Sequence, residues 1–194
     1  MKKRMKEVRW HGRGGQGAKT AAFLLAEAAM DDGKYFQGFP EYGPEREGAP
    51  IKAYTRISDR PILQHDAVSD PDVVIVLDDT LLGSVPVTDG VVEDTILMVN
   101  TKMTPDEVVK KIDWHGGRVY TIKATDIAME TIGKPIPNTP MIGAFIGATG
   151  MINEKALESK ISHKFLKKLG QEGVDANIEA VRKARKAIAE VKDK

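Results

Sequence analysis

The sequence feature that most constrains the fold is a glycine-rich loop placed between a short strand and a helix. A strand is predicted at residues 7–11, and the stretch 12–17, which contains four glycines, interrupts it. An alanine- and leucine-rich run with helical composition follows at residues 18–30. Because a strand, a turn and a helix in this order begin a βαβ unit, the start of the chain predicts an α/β fold.

The rest of the chain combines predicted strands with predicted helices. Residues 73–77 are continuously apolar and mostly β-branched, which is typical of a central parallel strand, whereas residues 52–57 alternate polar and apolar side chains. Further strands are predicted at residues 35–39, 95–99 and 118–122. Helices are predicted at residues 105–111, 125–131 and 141–148. We therefore predict a three-layer α/β fold with a mostly parallel sheet and helices on both faces.

The C-terminal region, about residues 154–194, is predicted to be helical. Its last helix, residues 174–191, is amphipathic, with one apolar stripe of Val174, Ile178, Val181, Ile188 and Val191. This stripe is expected to pack on the body of the protein or on a partner. A chain of 194 residues with 41% hydrophobic content suits one compact domain, so we expect residues 1–194 to form a single unit.

Composition excludes several classes of function. Lys and Arg (29) nearly cancel Asp and Glu (28), so no positive field is available for nucleic acid or an anionic membrane surface. The apolar stretches are far shorter than the roughly 20 residues needed to cross a bilayer. The basic first residues are followed by polar ones rather than by the apolar segment of a signal peptide, which favours a cytoplasmic protein.

Cysteine is absent from the sequence. Disulfides, thiolate nucleophiles and iron–sulfur ligation within this chain are therefore excluded. The four histidines lack the spacing that would place two of them on one helix face, so no metal site is expected. Any electron relay must belong to another polypeptide.

The glycine loop has two explanations based on its residues. Gly12, Gly14 and Gly17 fit the pattern G-x-G-x-x-G, and Glu41 could serve as the acidic residue of a dinucleotide-binding fold, which predicts an NAD(P)-binding module. The alternative is a tight turn that lets the following helix lie close against the sheet. Arg13 and Gln16 place polar groups where dinucleotide fingerprints commonly have small or apolar ones.

Two other pairs of residues suggest cofactor chemistry only weakly. Asp89 and Gly90 followed by Asn100 resemble part of a magnesium and thiamine diphosphate motif, but the spacing is too short, so an ordinary turn is predicted at Asp89. Asp78 and Asp79 follow a predicted strand, and helix capping is favoured over a metal pair.

The segment at residues 39–50 is long for a simple connection and is rich in proline and glycine. It offers the polar groups of Glu41, Tyr42, Glu45 and Arg46. One interpretation is a self-satisfied surface loop in which Arg46 pairs with Glu41 or Glu45. The other is an interface or a ligand contact, because functional residues concentrate on loops held by a rigid sheet.

Three segments give the chain its resemblance to a known family. Residues 10–17 (WHGRGGQG), 39–50 (FPEYGPEREGAP) and 137–144 (PNTPMIGA) resemble, in this order, signatures of the gamma subunit of pyruvate and related 2-oxoacid ferredoxin oxidoreductases. The likeness extends over almost the whole chain, and Ile142 stands where leucine is expected.

The resemblance implies a subunit of an assembly that makes acetyl-CoA and CO2 from pyruvate and coenzyme A while reducing ferredoxin. Thiamine diphosphate, magnesium and iron–sulfur clusters are then expected on alpha, beta and delta (ferredoxin-like) subunits, and none on this chain. This chain would cover the active site without catalysing alone. The residues expected at the contact surface, or against coenzyme A, are Gly12, Arg13, Gly14, Gly15, Gln16, Gly17, Glu41, Tyr42, Glu45, Arg46, Asn138 and Thr139.

Overall fold

A computed structural model describes residues 5–41 and 47–192 of the protein, which contain one six-stranded sheet. The side chains of residues 189–192 are outside this description. The strands are β1 (Met5–Arg13), β2 (Tyr35–Pro40), β3 (Pro50–Ser58), β4 (Val73–Val76), β5 (Ile96–Asn100) and β6 (Val119–Ile122). All six lie where the hydrophobic pattern predicts them, with boundaries shifted by a few residues.

Five α-helices are seen in the described residues. They are α1 (Ala18–Asp31), α2 (Pro105–Ile112), α3 (Ala124–Thr131), α4 (Asn138–Thr149) and α5 (Glu154–Lys192), and a short 3-10 helix covers Asp79–Leu81. Thr104 caps α2 in a reciprocal capping box with Glu107, and Pro105 occupies its first turn, as predicted. Helix α4 begins at Asn138, three residues earlier than predicted, because Pro140 fits in the first turn of a helix.

The sheet is mixed, with the strand order β2-β3-β1-β4-β5-β6. Strands β1, β4, β5 and β6 pair in parallel, whereas β3 is antiparallel to both β1 and β2. The predicted mostly parallel α/β sheet is therefore confirmed, because three of the five strand pairs are parallel, and these pairs form the parallel half built from β1, β4, β5 and β6. The insertion of β3 between β1 and β2 is a feature that the strand pattern does not predict.

Apolar side chains cover both faces of the parallel half. On one face, Trp10, Ile75 and Met98 belong to a large core cluster with residues of α1, α4 and α5. On the other face, Val74 and Leu97 pack in a smaller cluster that includes Val108 of α2 and Trp114. Because successive residues of a strand point to opposite faces, the continuous apolar run of β4 supplies both layers.

The antiparallel half carries buried charge instead. Glu7 of β1 lies opposite Arg56 of β3, and their side chains form an ion pair at 2.9 Å. The Arg56 side chain is only 2% exposed and also donates to the carbonyl of Gln64 and to Asp66. Removing Glu7 would leave the buried charge of Arg56 uncompensated, so the pair joins β1 to β3. The bonds of Arg56 to Gln64 and Asp66 hold the segment after β3 on the sheet.

The C-terminal helix α5 is bent at Gly170, whose φ of 68° and ψ of −178° divide it into two helical segments. The predicted apolar stripe is buried at Val174, Val181 and Ile188, and Ile178 packs on the core. The side chain of Val191 lies outside the described residues. Within those residues, no helix has the length and apolar character to cross a membrane.

Helices α4 and α5 approach closely at two glycines. A Cβ atom at Gly143 would lie 2.3 Å from the carbonyl oxygen of Val181, and one at Gly147 would lie 2.7 Å from that of Arg185. Both obstacles are backbone atoms of α5, which cannot move without shifting the helix. The two glycines therefore set the distance between the helices.

Replacing Gly143 with alanine is expected to destabilise the chain. The G143A methyl group must push α5 away from α4, and overpacking of this kind costs about 1–3 kcal/mol, which exceeds the gain in helix propensity of about 1 kcal/mol. Urea denaturation of G143A and G147A measures both effects, with the larger loss of unfolding free energy expected in G143A. A G143A variant as stable as the unsubstituted chain would contradict the close packing.

Candidate functional site at the carboxyl ends of the parallel strands

The loops that contain the predicted site residues lie at one edge of the sheet. Strands β1, β4, β5 and β6 end there, and because β3 is antiparallel, its first residue Pro50 lies opposite Arg13 at the end of β1. Strands β2 and β3, which follow β1 in the sequence, lie on one side of β1 in the sheet, and β4 lies on its other side. Open α/β sheets form their ligand clefts at such a switch point, outside the carboxyl ends of the strands.

The glycine loop is tight because of two close approaches. A Cβ atom at Gly12 would lie 3.2 Å from Cβ of Ala18, so β1 and the start of α1 are nearly in contact. Gly17 has a φ of 81°, and a Cβ atom there would lie 2.6 Å from Nδ2 of Asn138. The loop therefore has the geometry of the tight turn, in which glycine is required for packing and for positive φ.

The arrangement gives no support to the dinucleotide-binding alternative. In that fold, the acidic residue ends a strand that lies next to β1, but here β3 separates β2 from β1. Glu41 is also engaged elsewhere, since it accepts a hydrogen bond from the Tyr54 hydroxyl and lies 3.4 Å from Nζ of Lys52.

Arg13 crosslinks three parts of the edge. Its guanidinium donates to the Thr80 hydroxyl through Nε and Nη2, at 3.2 and 2.8 Å, and to the carbonyl of Gly48 through Nη1 at 3.1 Å. Nε also lies 3.4 Å from the Asp78 carboxylate. Of the five N–H groups of a guanidinium, these bonds use three. The side chain is 31% exposed, and the other two N–H groups have no partner among the described residues.

Gln16 and Asp78 hold the glycine loop against the end of β4. Oε1 of Gln16 accepts from the Arg13 backbone N–H at 2.7 Å, and Nε2 of Gln16 donates to Asp78 at 2.6 Å. Partial burial acts to raise the pKa of Asp78, but hydrogen bonds from Thr80 and Gln16 and the nearby Arg13 outweigh it, so this pKa lies below its usual value. Asp78 is therefore ionised at neutral pH and anchors the loop.

The first two signature segments pair through their backbones. The Gly14 N–H donates to the carbonyl of Ala49 at 2.9 Å, and the Gly48 N–H donates to the carbonyl of Gly14 at 3.2 Å. The expected contacts of Tyr42, Glu45 and Arg46, including the pairing of Arg46 with Glu41 or Glu45, lie outside the described residues.

The third signature segment packs against the buried side of the glycine loop. Asn138 packs on Gly17, and its Oδ1 accepts from the Thr139 backbone N–H at 2.8 Å. The Thr139 hydroxyl lies 2.8 Å from Oδ1 of Asn177, whose Nδ2 donates to the carbonyl of Gly173 at 2.7 Å. Asn138 is 6% exposed and Thr139 is fully buried, so in this chain both residues support the loop from inside rather than form its surface.

Three residues that take part in this network are not among the predicted site residues. Asp78 is expected only as a cap, and it does cap the 3-10 helix by accepting from the Thr80 N–H, but it also binds Gln16. No pattern in the sequence identifies Thr80 as a site residue. Such a pattern exists for Asn177, since it is a polar residue between Val174 and Val181 on the apolar stripe of α5.

The turn predicted at Asp89 is confirmed, and it lies apart from Asn100. Asp89 and Gly90 form a turn before β5, while Asn100 ends that strand, so they lie at opposite ends of it. Asp79 accepts a hydrogen bond from the Thr101 hydroxyl. In the part of the chain that the structure describes, no group of three His, Asp or Glu residues is arranged to hold a metal ion.

A buried polar pair lies on the middle of β1. His11 is 1% exposed and accepts a hydrogen bond from Nε of Arg9 at 3.1 Å. Nη2 of Arg9 donates to the carbonyls of Val87 and Asp89, which attaches β1 to the turn before β5. Burial, with added repulsion from Arg9 and Lys52, lowers the pKa of His11 to about 3. His11 is therefore neutral at physiological pH and serves as an acceptor.

The geometry defines an α/β protein whose loops at the carboxyl ends of the parallel strands (residues 12–17, 48–49 and 78–80, here called the loop edge) are joined by hydrogen bonds. The family model described as pyruvate ferredoxin/flavodoxin oxidoreductase matches residues 7–187. The chain therefore belongs to the pyruvate ferredoxin/flavodoxin oxidoreductase family.

Its relatives are gamma-type subunits. The chain is 49% identical over 182 residues to the pyruvate synthase subunit PorC of Thermotoga maritima, covering 94% of each chain. It is 46% identical over 181 residues to the pyruvate/ketoisovalerate oxidoreductases common subunit gamma of Pyrococcus abyssi, covering 93% of this chain and 98% of the relative. The crystal structure of pyruvate oxidoreductase subunit PORC from Thermotoga maritima superposes with a TM-score of 0.84 at 46% identity, covering 95% and 97% of the two chains.

Replacing Asp78 with asparagine is expected to loosen the glycine loop. D78N keeps the shape of the side chain but removes the charge that Gln16 and Arg13 contact, and losing a charge-assisted bond costs about 1–2 kcal/mol. Hydrogen exchange of the amides at residues 12–17 should accelerate, and the free energy of unfolding should fall. The control is D126N, which removes an exposed carboxylate. Equal exchange in D78N and D126N would rule out the anchoring role of Asp78.

His11 is expected to make stability depend on pH. Its pKa is about 3 in the folded chain, against an ordinary value of 6.5, so below pH 6.5 protons bind the unfolded chain but not the folded one. The contribution of neutral His11 to the free energy of unfolding is complete above pH 6.5. It is lost as the pH falls toward 3, at up to about 1.4 kcal/mol per pH unit. Between pH 8 and pH 5, the unsubstituted chain should lose about 2 kcal/mol more than H11Q, in which glutamine retains an acceptor for Arg9. Parallel pH profiles of the two chains in chemical denaturation would disprove the assignment.

Proposed function

We propose that the chain is the gamma-type subunit of a multi-subunit 2-oxoacid:ferredoxin oxidoreductase, with pyruvate as the favoured substrate. The complex would convert pyruvate and coenzyme A to acetyl-CoA and CO2 and reduce ferredoxin. The observation that carries this proposal is the 49% identity, over 94% of both chains, to a pyruvate synthase subunit. The name of the Pyrococcus abyssi relative, which includes ketoisovalerate, supports a wider group of oxoacid substrates.

The chemistry is proposed to belong to companion chains. This sequence has no cysteine for iron–sulfur clusters. Its Asp89 and Asn100 lie at opposite ends of a strand rather than together. Thiamine diphosphate, magnesium and the clusters are therefore assigned to alpha, beta and delta subunits. We assign this chain a structural role at the border of the active site, as one domain of the complex.

The loop edge is proposed as the surface that meets these companions. Two backbone hydrogen bonds join residues 14 and 48–49, and Asn138 supports the loop from below, which supports a rigid, preformed surface. Gly15 and Glu41 are exposed on it, and in the described part of the chain Arg13 has two N–H groups without a partner. We further propose that Arg13 contacts either an anionic group of coenzyme A or a carboxylate of a companion, because guanidinium recognises both in bidentate geometry.

Co-expression with the companion subunits of the same enzyme tests the function. The expected result is a complex of defined mass with thiamine diphosphate, iron–sulfur absorption and coenzyme A-dependent reduction of ferredoxin by pyruvate. Omitting this chain should abolish or strongly reduce turnover. Oxidation of an oxoacid by the isolated chain, or micromolar binding of NAD or NADP to it, would refute the proposal.

The role of Arg13 is tested in the assembled enzyme with R13Q. The matched control is R118Q, which removes an exposed arginine beside β6. A KM for coenzyme A raised roughly ten-fold in an intact complex would assign Arg13 to coenzyme A, and a weakened complex would assign it to the interface. R13Q enzyme indistinguishable from R118Q in both measurements would eliminate the proposed role.

A further inference from the structure

A groove of about 450 Å³ lies next to the glycine loop, between the start of α4 and the bend of α5. Its walls are mostly apolar and are formed by two parts of the chain. Ile132 and Ile136 belong to the connection between α3 and α4, and Phe165 and Leu169 belong to the first segment of α5. Because Gly170 bends the helix there, α5 lines the groove on both sides of the bend.

The floor of the groove is fixed by hydrogen bonds. Asn138 and Asn177 line it and belong to the buried network of Thr139, and Gly17 lies against Asn138. These side chains have their partners within the chain, so they leave the floor rigid. The groove is continuous with the loop edge, because Gly15 and Gly17 line both.

The rim exposes apolar surface to water. Leu169 is 41% exposed and Leu166, one turn earlier on the same helix face, is 50% exposed. Leu169 lines the groove and Leu166 lies one turn away, and clustering of exposed apolar side chains is more typical of an interaction surface than scattered ones are.

The rim also carries positive charge. Lys134 and Lys168 line the groove, are exposed, and form no ion pair with any residue in the described part of the chain. Two earlier lysines of the same helix are neutralised, since Lys160 pairs with Asp31 and Lys164 with Glu27. Among the described residues that line the groove, none is acidic. The field of the groove therefore favours an occupant with negative charge.

We infer that this groove is the docking site for an acidic segment of a companion subunit that inserts an apolar side chain between Phe165 and Leu169. The inference rests on the proposed function, because that function supplies the companion. Carboxylates beside the inserted side chain would pair with Lys134 and Lys168. This pattern of an apolar anchor with a charged rim is common in protein interfaces.

The test uses the companion subunits purified as a subcomplex without this chain, to which the separately purified chain is titrated. One variant, L169Q, removes the apolar wall, and L63Q is its control because Leu63 is 85% exposed and does not line the groove. A second variant, K134E/K168E, reverses the rim charge. Its control is K186E, an exposed lysine about 24 Å further along the helix than Gly170, at 1.5 Å per residue. Circular dichroism and thermal unfolding verify that every variant folds.

We expect L169Q and K134E/K168E to raise the dissociation constant roughly ten-fold or more, and both controls to stay within about two-fold. The effect of K134E/K168E should shrink at high salt, whereas that of L169Q should persist. Assembly of the unsubstituted chain with no effect of either groove variant would overturn the inference and leave the proposed function intact. Failure of the unsubstituted chain to assemble would instead refute the function.

Two other results would also overturn the inference. If the groove variants change the mass of the isolated chain in sedimentation, its occupant is a second copy of the chain. If they raise the KM for coenzyme A while assembly is unchanged, its occupant is a small anion.

Discussion

The position of β1 between an antiparallel and a parallel neighbour determines the rest of the architecture. Its pairing with β3 brings Pro50 opposite Arg13, and its pairing with β4 brings His11 opposite Val76. The glycine loop that follows β1 is therefore next to the segment before β3 and to Asp78 after β4. A strand with any other neighbours would separate the groups that Arg13 and Gln16 connect.

Much of the fold could be predicted from the sequence, because hydrophobic periodicity reports burial directly. The continuous apolar run of β4 and the alternation in β3 identify a covered parallel strand and a strand with one polar face. Periodicity contains no information on strand order, however, so it could not reveal the insertion of β3 beside β1. The burial of Arg9 and Arg56 was equally hidden, because their partners include backbone carbonyls far along the chain.

The candidate site was predictable in part for similar physical reasons. Glycine is recognisable in a sequence, and Gly12 and Gly17 do lie where a side chain would collide with a neighbour. Asn138 is selected by family resemblance, and the structure adds a reason for it, since it occupies the space that Gly17 leaves empty. Thr80 could not be selected, because a threonine after two aspartates has no distinguishing pattern. Its role arises only from the distance between Arg13 and the end of β4.

The outer strand β2 has a consequence for the isolated chain. Among the described residues no strand pairs with its outer side, and an open edge can recruit further strands from other molecules. The strand is only six residues long and ends in Pro40, which has no N–H to donate. Lys34, which pairs with Asp59, places charge just before its beginning. These features disfavour the pairing of β2 with a strand of another copy of the chain.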